Sequence, residues 1–102
     1  MIAHRAEEGP AGAVVLDIGG HIGAAVIYVP AGHEGEEMEI RQPPDDWDGS
    51  HTGVRRRRLA GRSACAAVFE SLPAGRYEVR LRGETLGLDV QGGRVSEAHW
   101  DG

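Results

Sequence analysis

The sequence predicts an all-β domain, an antiparallel β-sandwich or partly closed barrel of about eight short strands. Three observations predict it. Short apolar runs recur along the 102 residues with glycine- and proline-bearing turns between them. No stretch keeps the 3.6-residue spacing of an amphipathic helix. After the turn Leu72-Pro73-Ala74-Gly75 the chain alternates cleanly, with Tyr77, Val79 and Leu81 on one face and Arg76, Glu78, Arg80 and Arg82 on the other. That period of two is the mark of a half-buried antiparallel strand.

Taken in order, residues 1–11 read as a flexible tail ahead of a single domain spanning 12–102. Strand 13–18 puts Val14, Leu16 and Ile18 on the core face, and Gly19-Gly20 turns it back as a hairpin, since glycine accepts positive φ. Strand 24–29, dense in β-branched residues, stops at Pro30. A loop at 31–35 leads to a short strand at 37–41. Residues 42–50, with two prolines, three aspartates and Gly49, make the longest loop. In strand 52–59 four consecutive arginines blur the alternation. The turn 60–62 leads into strand 63–69, where Cys65, Ala67 and Phe69 share a face. Gly83-Glu84 closes a hairpin from the Tyr77 strand into 85–90, with Leu86, Leu88 and Val90 inward. Gly92-Gly93 turns into a last strand at 95–100, with Trp100 in the core.

The run Leu72-Pro73-x-Gly75-x-Tyr77 entering a strand resembles the tyrosine corner of immunoglobulin-like sandwiches, in which the phenol bonds backbone a few residues upstream. Leu72, Gly75 and Tyr77 are therefore structural candidates. The longer pattern Phe69-x-x-Leu72-Pro73-x-Gly75-x-Tyr77-x-Val79, followed by Gly92-Gly93 and a final strand, is similar to transthyretin-like and carboxypeptidase-regulatory-like domains. Hydroxyisourate hydrolases of that kind carry a terminal Tyr-Arg-Gly-Ser signature. Here the corresponding run is His99-Trp100-Asp101-Gly102, so the resemblance implies a fold and no catalytic residue. Through Val15-Leu16-Asp17-Ile18-Gly19-Gly20, Ala66-Ala67-Val68-Phe69 and Gly92-Gly93-Arg94-Val95 the chain also resembles a group of short proteins from high-GC bacteria, which implies no activity.

Net charge of −5 argues against general affinity for nucleic acid or anionic membranes. No apolar run approaches the roughly 18 residues of a membrane span, and the first residues lack the apolar core of a secretory signal. Cys65 is the single cysteine, which fits a reducing, cytoplasmic setting. Charge is unevenly placed. Residues 34–48 hold seven acids against Arg41, and 55–62 hold five arginines and no acid. Arg55 to Arg58 are expected to pair across strands with Glu37 and Glu39, or to guard an exposed sheet edge.

Loops of an antiparallel sandwich alternate between its two ends. His21 and the 42–51 segment then share one end and His33 takes the other. His21 and His51 with Asp46 and Asp48 form a candidate site for zinc or another divalent ion, since imidazole and carboxylate suit such metals. The alternative is a set of solvated loop histidines. Trp47, between aspartates in a proline-bearing loop, is either folded back as a lid or exposed as a partner-binding anchor. The run Gly61-Arg62-Ser63-Ala64-Cys65 is not a nucleophile elbow, because Ser63 enters a strand instead of a strand-to-helix turn.

With no catalytic constellation, the expected function is a non-catalytic interaction module that binds a protein partner or itself, as a homodimer joined through the sheet edge opposite the arginine strand. A divalent-metal-binding protein is the alternative, and a transthyretin-like hydrolase a remote one, since fold does not fix function.

Overall fold

The computed structural model describes residues 3–6, 15–59 and 61–101. It is all-β. Nine strands are present among the described residues: β1 (Ala3–Ala6), β2 (Val15–Ile18), β3 (Ile22–Tyr28), β4 (Glu37–Arg41), β5 (His51–Leu59), β6 (Arg62–Pro73), β7 (Gly75–Leu81), β8 (Glu84–Val90) and β9 (Val95–His99). A single 3₁₀ turn at Ala31–His33 is the only helical piece among them. Seven strands form one sheet in the order β8-β7-β4-β5-β6-β3-β9, nearly closed into a barrel. β1 and β2 form a separate antiparallel pair.

Three expectations are corrected. The tail contains a strand: Ala3–Ala6 pairs with β2, from Ala3 opposite Ile18 to Ala6 opposite Val15. The remainder of 1–11, residues 13–14 of the expected first strand, and Ala60 lie outside the described residues. Secondly, the sheet is mixed. β9 runs parallel to β3, from Val95 opposite Ala24 to His99 opposite Tyr28. Gly92-Gly93 is thus no hairpin; it carries the chain from β8 at one edge of the sheet to β9 at the other. The crossing is tight. A Cβ on Gly92 would lie 2.1 Å from the Gly20 carbonyl oxygen, and one on Gly23 would lie 2.2 Å from that of Gln91. Backbone meets backbone there, and only glycine allows it.

The third correction concerns layers. The inner core holds Ile27, Met38, Val54, Phe69, Tyr77, Val79, Leu81 and Trp100, among others. Ala24, Val26, Ala66 and Val68, on the opposite faces of β3 and β6, form a second buried cluster with Leu59 and Ile18. Ile18 therefore joins this outer cluster and not the inner core. β3 and β6 are buried on both faces, which explains why each reads as a continuous apolar run. β5 changes neighbours midway. His51 to Gly53 pair with β4, Val54 still exchanges backbone bonds with Gly35 and Glu36, and Arg55 to Leu59 pair only with β6.

Candidate functional site

At the end where β5 starts and β6 finishes lies a groove of about 380 Å3. Its floor is apolar. Alternation along β4 turns Ile40 inward beside Phe69 of β6, while Leu72 is half-buried. Tyr77, the first inward residue of β7, closes the floor and donates its hydroxyl proton to the Pro73 carbonyl at 2.7 Å. The expected tyrosine corner is present and forms one wall of the groove. Burial pushes the Tyr77 phenol pKa up, which keeps it a neutral donor.

The rim comes from the 42–50 loop and is acidic. Asp45, Asp46 and Asp48 are all exposed there, beside Ser50 and His51. Two of the carboxylates hold the loop in shape. Asp46 accepts the Trp47 amide at 2.8 Å, and Asp48 accepts the Ser50 amide at 2.9 Å. The hydroxyl and amide of Ser50 hold the Asp48 carboxyl below the usual range. His51 Nδ1 lies 2.8 Å from the Gly49 carbonyl, and its Nε2 lies 3.6 Å from Glu37. The Gly49 carbonyl, then the Glu37 charge, raise the His51 pKa above its ordinary value of 6.5. Ser50 and His51 thus turn to Asp48 and Gly49 instead of to each other, so they do not make a nucleophile and base.

The expected metal ligands share an end without sharing an ion. The His21 carbonyl accepts the Ala74 amide at 2.7 Å, which places this turn beside the Pro73 corner, at the end where His51 also lies. Among the described residues, however, no group of three or more His, Cys, Asp or Glu side chains is placed to hold a metal ion. His21, His51, Asp46 and Asp48 are not gathered into such a group, and each aspartate accepts an amide of its own loop. His33 lies near Trp100 and Leu81. It is buried, not solvated, with Nδ1 2.9 Å from Glu36, whose carboxylate also takes Arg82. Cys65 is a buried free thiol in the inner core.

Trp47 folds back on the outer face of the sheet, with the Arg80 and Arg41 guanidinium carbons 4.1 and 4.9 Å from its ring centroid. Those arginines bond Glu39 at 2.7 Å and Glu78 at 2.8 Å. Glu37 and Glu39 are therefore engaged by His51 and Arg80, and not by Arg55 to Arg58 as expected. The apolar floor was the feature hardest to anticipate. Phe69 and Tyr77 read correctly as inward-facing residues and Ile40 was not singled out, and nothing in their spacing marks the place where the core opens to solvent.

No protein-family model, curated protein or solved structure matches this chain. Among the described residues no helix is long and apolar enough to cross a membrane.

Proposed function

We propose that this protein is a non-catalytic interaction module of the cytoplasm, an immunoglobulin- or transthyretin-like variation on the all-β theme, whose binding surface is the groove at the Pro73 end. The observation that carries this reading is the pairing of an apolar floor with an acidic rim in one cavity. Pockets that combine apolar walls with a few placed polar groups are the usual form of a recognition site. The chemistry selects a ligand with an apolar stem and a cationic head. An arginine side chain of a protein partner fits: its methylenes lie on Leu72 and Phe69, and its guanidinium meets the aspartates. Acidic polymers such as nucleic acid are repelled by the same rim and by the net charge of −5.

The test is a nuclear magnetic resonance titration with two capped peptides, one alternating leucine and arginine, the other leucine and glutamate. The arginine peptide is expected to shift resonances of Phe69, Leu72 and Tyr77, and the glutamate peptide to leave them in place. Equal response to both, or to neither, removes the groove as a cation-selective site.

A further inference from the structure

We infer that the partner seated in this groove is a second copy of the chain, entering by the arginine-bearing end of its β5–β6 ribbon; the inference rests on the groove reading above. β4 pairs with β5 only as far as Gly53, after which Val54 exchanges two backbone bonds with Gly35 and Glu36, and β3 follows β6 only to Ala66, with one further bond from Val29 to the Cys65 carbonyl. Beyond those points β5 and β6 continue to pair with each other as far as Leu59 opposite Arg62. Among the described residues this ribbon has no neighbouring strand in its sheet on either side.

Few of its charges meet a carboxylate among the described residues, though Arg62 also lies over the Tyr28 ring, 5.6 Å from its centroid. Arg56, Arg58 and Arg62 are exposed, and the only carboxylate in ion-pair reach of them among the described residues is Glu34, 3.9 Å from Arg56. An acidic protein thus carries a cationic ribbon at one end of β5 and an anionic groove at the other. Eight residues separate His51 from Leu59, roughly 26 Å of extended strand. Two copies lying side by side in opposite directions present ribbon to groove twice about a two-fold axis. Such an interface closes on itself and stops at a dimer. It also excludes direct β5-to-β5 edge pairing, which would bring the two arginine series together.

Sedimentation equilibrium of the full chain tests this. A dimer is expected at high micromolar concentration and low ionic strength, dissociating as salt screens the contact. The variant Arg56→Glu/Arg58→Glu and the variant Asp45→Arg/Asp46→Arg are each expected to be monomeric. Mixed in equal amounts they are expected to form a one-to-one heterodimer, because both contacts then unite opposite charges. Misfolding of either variant cannot produce that rescue. A wild-type monomer, a dimer indifferent to salt and to both variants, or a mixture that stays monomeric overturns the inference. If the arginine peptide still shifts Leu72 in a monomeric wild type, the groove reading stands and only the identity of the partner is lost.

Discussion

The molecule carries two series of arginines on strands, and they differ in what faces them. On β7 and in the turn after it, Arg76 meets Asp89 at 3.2 Å, Arg80 meets Glu39 at 2.7 Å and Arg82 meets Glu36. On β5, Arg56 alone has a carboxylate in ion-pair reach among the described residues, and only at 3.9 Å. Arg57 turns to backbone instead, donating to the carbonyls of Ala66 and Gly53, and its partial burial lowers its pKa. The cause is the neighbouring strand. Opposite β7 stands β4, with Glu39 across from Arg80 and Arg41 across from Glu78. Opposite the β5 arginines stand Ala66, Cys65, Ala64 and Ser63. Alternating charge beside an acid-bearing strand gives a closed ion-pair lattice, whereas the same residues beside a small, apolar strand remain available to another molecule.

Variants can break or sharpen that contrast. The β7 series stands on a strand whose other face is core, and Leu81 is among the largest fully buried side chains. Leu81→Ala is expected to cost about 2–5 kcal/mol in urea unfolding; a neutral result would mean that β7 does not anchor the lattice to the core. Next comes the root of the strand. Tyr77→Phe removes the bond to Pro73 and is expected to cost about 1 kcal/mol, and an unchanged midpoint would make the corner ornamental.

The direct comparison is Arg80→Ala against Arg58→Ala. Arg80 loses both a half-exposed ion pair and its place over Trp47, so about 0.5–1.5 kcal/mol is expected, together with a change in tryptophan emission. Arg58→Ala, measured on the monomer at high salt, is expected to stay within about 0.5 kcal/mol of the parent. Equal losses would erase the distinction between the two series.

The smallest effect concerns His51, at the start of the β5 strand. Its raised pKa means that the fold favours the protonated imidazole. The stabilisation is therefore complete below the ordinary value of 6.5 and fades as pH rises through the higher folded value. His51→Gln should lower stability slightly in mildly acidic solution and leave it unchanged in mildly alkaline solution. A difference that grows with pH would contradict the contacts with Gly49 and Glu37.

Local chemistry made much of the strand inventory legible. Proline and glycine end β3 and turn β7, and a period of two assigns Tyr77, Val79 and Leu81 to the core without reference to any neighbour. The corner from Tyr77 to Pro73 was equally readable, because all its parts lie within five residues. The acidic rim could be foreseen as a charge run, though its union with an apolar floor could not.

What the sequence by itself determined is which residues of β7 and β8 face inward, because alternation is a property of one strand alone. Only the tertiary structure decided which strand lies beside which. Gly92-Gly93 looks the same whether it closes a hairpin or carries β9 across to β3. The run from Ala64 to Phe69 does signal burial on both faces, yet nothing in it names the layer that covers the second. Pairing of β5 with β6 past the reach of β4 and β3 likewise follows from register over long sequence separation. Register depends on the packing of whole faces against one another, and among the described residues that packing leaves most β5 arginines without a carboxylate in reach while it pairs Arg76 and Arg80 of β7.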